Sequence, residues 1–397
     1  MRSYIKGIIK KSSVLQFVHA NVRGTLQDRR AARSLAQHKL LVAHEAYSSN
    51  LGLVESNLRS RIRNRKPNLV PKQLGEMHIF VAFQVWDWEA VLPVALQPFG
   101  RVSSYDFHGD GFNENLVDWP SRQIEMNRRM LDRFRQANEI QPVDAVVCYL
   151  SGHNTHPDVL KEMGRHGAAI FNFCWDDKLN FPGDKRDGIY QSPAGIANAV
   201  DLNLTNAPES VIKYAAYGGL ALFWPEAAHP DVHKPVDVPF EHDVSFVGAR
   251  YGWRPALIQQ LEKLGVSVTC FGRGWPNGPL PDSDMISIFS KSRINLGFST
   301  IGYSKTLMCL KGRDFEIPMS GALYLTQHNP ELKMVFDIGK EILTYRNAKE
   351  CESLIRHYLA HPEDAACIRT AARERCLRDH TYLARWSQVF RLAGILN

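Results

Sequence analysis

Two charged side chains lie three residues apart in the segment KGRDFEIPMSGALYLT, residues 311–326. This spacing puts Arg313 and Glu316 on one face of a helix. A glutamate in this position can accept hydrogen bonds from a ribose diol, and an arginine beside it can neutralise a diphosphate. The same pair could instead form an ion pair within the helix, so both interpretations stay open. Ser320 and Gly321 are expected to end this helix before a strand.

Two segments upstream combine glycine with arginine just after an apolar run. They are FVGARYGWR (246–254) and FGRGW (271–275). Glycine lets a ligand approach the backbone, and free N–H groups at a helix start favour phosphate. An ordinary turn with a solvent-facing arginine is the alternative for either segment, but two such turns on neighbouring strands favour an anion site. The candidates are Gly248, Arg250, Arg254, Gly272 and Arg273.

Adjacent carboxylates, Asp176 and Asp177, follow Trp175 at the end of another apolar run. Such a pair at the carboxyl edge of a strand can bind a sugar hydroxyl or act as a general base. Capping a loop or helix is the alternative. The D-x-D pattern at 282–284 precedes a helical pattern, so we interpret it as a cap and predict no metal site. Motifs of serine hydrolases, zinc proteases and P-loop NTPases are absent.

The elements that position these residues follow from the apolar pattern. From Met77 onward, short strand-like runs alternate with helical patterns, which predicts parallel strands and an α/β doubly wound architecture. The stretch 225–241 carries four prolines and four acids without apolar periodicity, as in a linker, and a second α/β series follows it. We therefore expect two Rossmann-like lobes facing a central ligand cleft.

This pattern divides the chain into five segments. They are a basic, helical extension (1–73), a first lobe (74–225), a linker (226–241), a second lobe (242–380) and a last helix expected to pack back toward the first lobe (381–397). The charge is unevenly divided between them. The extension holds 15 Lys/Arg and 3 Asp/Glu, a net charge of +12, whereas the rest of the chain holds 33 and 38, a net charge of −5.

The basic extension suggests three kinds of environment. Ile5, Ile8, Ile9 and Leu15 lie at near-helical spacing among lysines, as in a helix that binds a membrane surface. A solvated or packed helix is the alternative, and nucleic acid is not expected as a partner. Seven scattered cysteines indicate reduced thiols, and no apolar run is long enough to cross a bilayer. We expect a cytoplasmic protein, with peripheral contact at the inner membrane face as the alternative.

Six segments of the second lobe form an ordered set. They are VSFVGARYGWRPALIQQL, VTCFGRGW, KSRINLGFS, KGRDFEIPMSGALYLT, FDIGKEILTYRNAKECESLIRHYLAHPE and RERCLRDHTYLAR. In this order they resemble the C-terminal domain of the CgeB-like, group 1 glycosyltransferases. In the first lobe, IFNFCWDD, DLNLTNAPESVIKYAAYGG and WPEAAHPDVHKP are similar to parts of the same family. Residues 1–73 show no such resemblance.

The resemblance implies a GT-B fold, with the nucleotide-sugar donor in the second lobe, the acceptor in the first and usually no metal. By position, Glu316 would bind the nucleotide ribose. Many related retaining enzymes carry another glutamate eight residues earlier, but Met308 occupies that position here. The sugar and the stereochemistry therefore stay open. The donor-binding candidates are Gly248, Arg250, Arg254, Gly272, Arg273, Lys311, Arg313, Glu316 and Gly321.

The resemblance and the residues together predict a metal-independent glycosyltransferase without a cofactor. It would transfer a sugar from a nucleotide-diphosphate donor to a glycan, lipid-linked or protein acceptor in cell-surface polysaccharide or glycoconjugate synthesis. If the reaction inverts configuration, Asp176 or Asp177 would be the base. A nucleotide-sugar epimerase of the same fold and a non-catalytic nucleotide- or glycan-binding protein are the alternatives.

Overall fold

The computed structural model describes residues 13–42, 51–83, 91–179 and 181–397. The chain divides into two compact units. The first unit consists of Arg33–Pro225 and Tyr382–Asn397. The second unit consists of the residues up to Ala32 together with Glu226–Thr381. The N-terminal extension is thus shared between the two units, and the last helix belongs to the first.

The N-terminal extension is helical, as predicted. Its helices are α1 (Ser13–Leu41) and α2 (Leu51–Arg65). The first twelve residues, with the apolar pattern of Ile5, Ile8 and Ile9, lie outside the described residues. None of the described helices is both long and apolar enough to cross a membrane.

Helix α2 packs within the first unit through one apolar face. Val54, Leu58 and Ile62 recur at every fourth residue, and all three side chains are buried. At the end of the helix, Arg65 donates hydrogen bonds to both carboxylate oxygens of Asp201, at 2.8 and 2.6 Å. Asp201 directly precedes a strand, so this bidentate pair attaches the helix to the sheet.

The first unit contains a six-stranded parallel sheet with the strand order β2-β1-β3-β4-β7-β8. Its strands are β1 (Met77–Phe83), β2 (Gly100–Ser104), β3 (Ala145–Tyr149), β4 (Ala169–Cys174), β7 (Leu202–Thr205) and β8 (Ala221–Phe223). The hairpin β5 (Lys185–Arg186) and β6 (Ile189–Tyr190) lies outside this sheet. The helices after α2 are α3 (Leu92–Leu96), α4 (Trp119–Ile140), α5 (Pro157–Arg165), α6 (Val211–Ala215) and the C-terminal α12 (Tyr382–Leu392), with 3₁₀ turns at Gln97–Phe99, Pro193–Gly195 and Pro208–Ser210.

The central strands of this sheet are buried, including their few polar residues such as Asn172 and Asn203. Every residue of β4 is buried, because helices cover both faces of a parallel sheet. Helix α4 presents Met126, Met130 and Phe134, spaced four residues apart, to the same core. On α12, the Trp386 ring lies 4.7 Å from the Trp224 ring between their centroids. The last helix therefore packs within the first unit.

The second unit contains a five-stranded parallel sheet with the strand order β10-β9-β11-β12-β13. Its strands are β9 (His242–Val247), β10 (Thr269–Phe271), β11 (Ser292–Leu296), β12 (Tyr324–Gln327) and β13 (Leu343–Tyr345). Its helices are α7 (Arg254–Lys263), α8 (Asp282–Lys291), α9 (Arg313–Met319), α10 (Ala348–Ala360) and α11 (Pro362–Asp379), with a 3₁₀ turn at Pro330–Met334. Each unit thus has the predicted doubly wound α/β architecture.

Some predicted strands are longer than the observed ones. The run RVSSYDF predicts a strand over 101–107, but β2 ends at Ser104. Tyr105 and Phe107 are nevertheless buried, in the core of the first unit. The apolar alternation of this run therefore predicted the burial of Tyr105 and Phe107 correctly, but it predicted too long a strand.

Candidate functional site

The two glycine-arginine turns lie side by side at the carboxyl edge of the second sheet. Strands β9 and β10 are parallel neighbours, with Val247 opposite Phe271. The Gly248 N–H donates to the Phe271 carbonyl at 2.9 Å, and the Arg250 N–H donates to the Arg273 carbonyl at the same distance. The structure therefore brings these two predicted segments together.

Gly272 is required by this close approach. It adopts a φ of +124°, which side chains rarely permit, and a Cβ atom there would lie 2.4 Å from the Gly248 carbonyl oxygen. The Gly248 carbonyl also accepts a hydrogen bond from Trp275 Nε1 at 2.9 Å. Arg250 is exposed, with its guanidinium 5.4 Å from the centroid of the Trp275 ring. The arginine side chain thus lies over an aromatic face beside the turn.

Arg254, the first residue of α7, is buried at the inner side of this turn. Its guanidinium donates to the Ala249 carbonyl at 2.8 Å and to the Tyr251 hydroxyl at 3.1 Å. It also lies 4.1 Å from the centroid of the Tyr251 ring. Burial lowers the pKa of Arg254 from its usual value, since the charged form loses solvation. The side chain holds the turn in place and brings positive charge into a largely dry environment.

Lys311 adds a second cation close to Arg254. Its Nζ atom lies 3.3 Å from the Cys309 sulfur. Burial and the Arg254 charge lower the pKa of Lys311, but the Cys309 and Tyr251 side chains raise it more, so the pKa lies above its usual value. Within the described part of the chain, neither Lys311 nor Arg254 forms an ion pair, although the Asp314 carboxylate attracts the Lys311 charge. Two cations and one nearby carboxylate leave an excess of positive charge, which favours an anion.

Glu316 and Arg313 form the ion pair that the sequence left open. Arg313 Nη1 contacts Glu316 Oε2, and Glu316 is 5% exposed. His233 of the linker, which no sequence motif indicated, is a third member of this group, and its Nε2 lies 4.0 Å from Glu316 Oε1. Burial lowers the pKa of His233, against the opposing effect of the Glu316 charge. One oxygen of Glu316 is therefore held by Arg313 and the other faces a histidine.

Asp314 was not predicted as a site residue, although it lies between Arg313 and Glu316. It is 1% exposed; one oxygen accepts from the Tyr324 hydroxyl at 3.0 Å and the other from the Lys311 N–H at 2.8 Å. These bonds attach the start of α9 to strand β12. Burial raises the pKa of Asp314 to about 6 from an ordinary value of 3.8. Nothing in the local sequence distinguishes this carboxylate from an exposed one.

Replacement of Asp314 by asparagine should change how stability depends on pH. Because the folded protein binds this proton more tightly than the unfolded chain, the ionised carboxylate costs stability above its folded pKa, and the cost shrinks as the pH falls. Asn carries no such cost. Relative to wild type, the free energy of unfolding of Asp314→Asn should rise by about 1.3 kcal/mol between pH 5 and pH 7. Urea unfolding at both pH values measures this, with exposed Asp243→Asn as the control.

A difference between Asp314→Asn and wild type that stays constant from pH 5 to pH 7 would contradict the raised pKa. The exposed Asp243 side chain belongs to the same unit, so its variant should show no comparable pH dependence. Comparing the two variants separates burial of the carboxylate from a general change in net charge.

Gly321 lies at the other end of α9 from the charged residues. It adopts a φ of +70° just after the helix ends, as a glycine does when it reverses the chain. A Cβ atom there would lie 3.2 Å from Pro235 Cγ. The structure thus gives Gly321 a structural role and does not place it beside Lys311 or Arg254.

The two adjacent carboxylates of the first unit have different environments. Asp176 is exposed and accepts a hydrogen bond from the Tyr149 hydroxyl at 3.2 Å. Asp177 is 1% exposed and accepts from the Tyr214 hydroxyl at 2.9 Å, and burial raises its pKa. The Asp177 carbonyl accepts from Lys213 Nζ at 3.1 Å. Asp177 therefore anchors the segment, and only Asp176 presents its carboxylate to solvent.

Comparison with known proteins agrees with this architecture. Residues 254–391 match the family model described as glycosyl transferase-like. A comparison with curated protein sequences finds no match.

Several solved structures share the fold at low sequence identity. Sucrose-phosphate synthase from Thermosynechococcus elongatus aligns with a TM-score of 0.55 at 10% identity, over 79% of this chain and 98% of that one. Anabaena HepE in complex with UDP aligns with a TM-score of 0.55 at 12% identity, over 81% and 100%. A glycosyltransferase from Rickettsia africae aligns with a TM-score of 0.54 at 11% identity, over 81% and 99%. The chain therefore has the GT-B fold, and its residues 254–391 are similar to the glycosyl transferase-like family.

Proposed function

We propose that this protein is a glycosyltransferase whose nucleotide-diphosphate sugar binds at the carboxyl edge of the second unit's sheet. The observation that carries the proposal is the pair of neighbouring cations, Lys311 and Arg254, neither of which forms an ion pair among the described residues. The Asp314 carboxylate attracts the Lys311 charge but does not balance two cations, and a bound diphosphate would compensate the excess. Exposed Arg250 and Arg273 supply further charge at the same turns.

The same cations would promote the reaction. When the bond between sugar and diphosphate breaks, negative charge accumulates on the departing phosphate oxygens. Cations that are already fixed in place stabilise this charge more in the transition state than in the ground state. We assign this task to Lys311, Arg254 and Arg250. Glu316 would accept hydrogen bonds from the ribose hydroxyls through Oε1, while Arg313 holds Oε2.

The acceptor is proposed to be a glycan, a lipid-linked sugar or a protein in cell-surface polysaccharide or glycoconjugate synthesis. Protein cations would take over charge neutralisation from a metal ion, so we expect transfer without added metal. If transfer inverts configuration, Asp176 is the base we assign, because Asp177 is buried. If it retains configuration, no protein base of this kind is needed.

A nucleotide panel tests the donor half of the proposal. HepE has been solved in complex with UDP and with UDP-glucose, so uridine nucleotides are the first probes. Isothermal titration calorimetry with UDP, GDP, ADP and CMP, and with their sugars, should reveal saturable binding of one nucleotide class. Absence of heat and of thermal stabilisation with every one of them would overturn the proposal.

Acceptor dependence then separates transfer from the alternative activities. A transferase releases nucleoside diphosphate faster when acceptor is added, whereas an epimerase interconverts the free donor without one. Donor binding without turnover across a broad acceptor mixture would favour a non-catalytic binding protein. Activity that persists in a chelator would support metal independence.

Peripheral membrane contact is a separate proposal for the N-terminal extension. The described part of α1 exposes Val18, Val22 and Leu26 at every fourth residue, and Arg29 and Arg33 are also exposed. Apolar and cationic side chains on one helix suit an anionic lipid surface. Co-sedimentation of the full chain with anionic but not with neutral phospholipid vesicles is expected, and equal recovery with both would count against it.

A further inference from the structure

The segment between β11 and α9 forms a loop with an internal ladder of backbone hydrogen bonds. The Cys309 N–H donates to the Ser299 carbonyl, and the Ile301 N–H donates to the Leu307 carbonyl, both at 3.1 Å. Two residues beyond Cys309 the chain reaches Lys311. The position of this loop, residues 299–309, therefore determines where the Lys311 cation lies.

The tip of the loop is organised around Ser304. This side chain is fully buried, and its oxygen accepts from the N–H groups of Thr306 and Leu307 at 3.1 and 2.7 Å. The Ser304 hydroxyl proton is donated to the carboxylate of Asp28, on helix α1. An acidic side chain from the N-terminal helix thus completes the hydrogen bonding of the loop tip.

Three further contacts fix α1 to the same tip. The Tyr303 N–H donates to Gln27 Oε1 at 2.9 Å, and Lys305 Nζ donates to Asn21 Oδ1 at 2.6 Å. A Cβ atom on Gly24 would lie 2.1 Å from the Tyr303 carbonyl oxygen, so helix and loop approach as closely as a glycine allows. These contacts attach α1 to Tyr303 and Lys305, the residues on either side of Ser304.

The loop tip is in turn bonded to the glycine-arginine turn. Trp253 Nε1 donates to the Tyr303 carbonyl at 2.8 Å. His19 and Arg23 of α1 line the same cavity as Arg250 and Trp275, with a volume of about 1020 Å³. Helix α1 therefore borders the glycine-arginine turn that carries Arg250, although it lies outside the 254–391 region matched by the family model.

We propose that residues 21–28 of α1 act as a strap for the donor site, with Asp28 as its positioning residue. Asp28 would fix the loop tip through Ser304 and so hold Lys311 where it can bind the diphosphate. The chemical class of the ligand rests on the proposed function. The strap itself rests on the contacts of α1 with the loop.

The test compares Asp28→Ala, Asp28→Asn and the control Arg30→Ala in the full-length protein. Arg30 is exposed on the same helix. Loss of a hydrogen bond to a charged group should weaken UDP binding by about tenfold in Asp28→Ala. Asp28→Asn keeps an acceptor for Ser304 and should lose less, and Arg30→Ala should bind UDP like wild type. Hydrogen exchange of the Thr306 and Leu307 amides, measured without nucleotide, should accelerate in Asp28→Ala only.

The outcomes distinguish the strap from the proposed function. If wild type binds UDP and Asp28→Ala binds it equally well, the strap is wrong and the proposed function stands. Unchanged exchange of the two amides in Asp28→Ala also overturns the strap. If wild type binds no nucleotide, the proposed function fails and the donor role of the strap fails with it. Faster amide exchange together with weaker UDP binding, at an unchanged melting temperature, supports the strap.

Discussion

Replacement of Lys311 by methionine is expected to weaken nucleotide binding by ten- to a hundredfold without lowering the stability of the free protein. The Lys311 charge is repelled by Arg254 and attracted by the Asp314 carboxylate, and neither cation forms an ion pair among the described residues. Methionine has a similar length and removes the repulsion together with the attraction, so the melting temperature should change little. A hydrogen bond to a charged phosphate contributes roughly 1.5–3 kcal/mol, which sets the expected loss of affinity.

Calorimetry with UDP measures the predicted loss of affinity, and a thermal unfolding curve of the free protein measures the melting temperature. Lys333→Met is the matched control, because Lys333 is exposed in the same unit and should change neither quantity. A Lys311→Met protein that binds UDP with wild-type affinity would remove Lys311 from the donor site. A drop of several degrees in melting temperature would instead assign the side chain a structural role.

Replacement of Glu316 by glutamine should have the second largest effect. The neutral amide is a weaker acceptor for ribose hydroxyls than a carboxylate, so we expect nucleotide affinity to fall by about tenfold. Arg313 loses its anionic partner at the same time. Since the Arg313 side chain is 32% exposed, water partly replaces that partner, and the free energy of unfolding should fall by only about 1 kcal/mol.

Comparing UDP with 2′-deoxy-UDP in both wild type and Glu316→Gln isolates the contact of Glu316 with the ribose. For wild type, UDP should bind more tightly than 2′-deoxy-UDP, and for Glu316→Gln this preference should largely disappear. Fully additive losses would mean that Glu316 does not touch the ribose and serves only as the partner of Arg313. Glu350→Gln is the control, because Glu350 pairs with Arg346 at the surface of the same unit.

The loop that contacts α1 includes Met308, eight residues before Glu316. Met308, at the position where many related enzymes carry a glutamate, forms a backbone bridge with Thr300 inside the loop. The position is therefore part of an ordered loop. If the chain binds a nucleotide-sugar as proposed, the Met308 side chain does not supply the contact of a glutamate, which makes a panel of UDP-sugars more informative than a test of one.

The candidate site could be predicted only in part. Gly248, Arg250, Gly272 and Arg273 stand out because a glycine and an arginine follow each apolar run, and the structure places the two turns side by side. Gly321 was grouped with them through its segment, yet it lies at the far end of α9. Asp314 and His233 went unnoticed, because their burial depends on how whole segments pack together and is not visible in the local sequence.

The sequence by itself determined the elements and their class. Short, mostly apolar runs such as AIFNFC are local properties of the sequence, and so are apolar residues four positions apart on α4. Strands, helices and their parallel α/β alternation could therefore be predicted from them. Only the tertiary structure decided which groups meet: the strand order β10-β9-β11-β12-β13, the contact of Asp28 with Ser304 and the proximity of Lys311 to Arg254. The contact of Asp28 with Ser304 joins residues 276 positions apart, and no local pattern encodes packing between segments so distant in the chain.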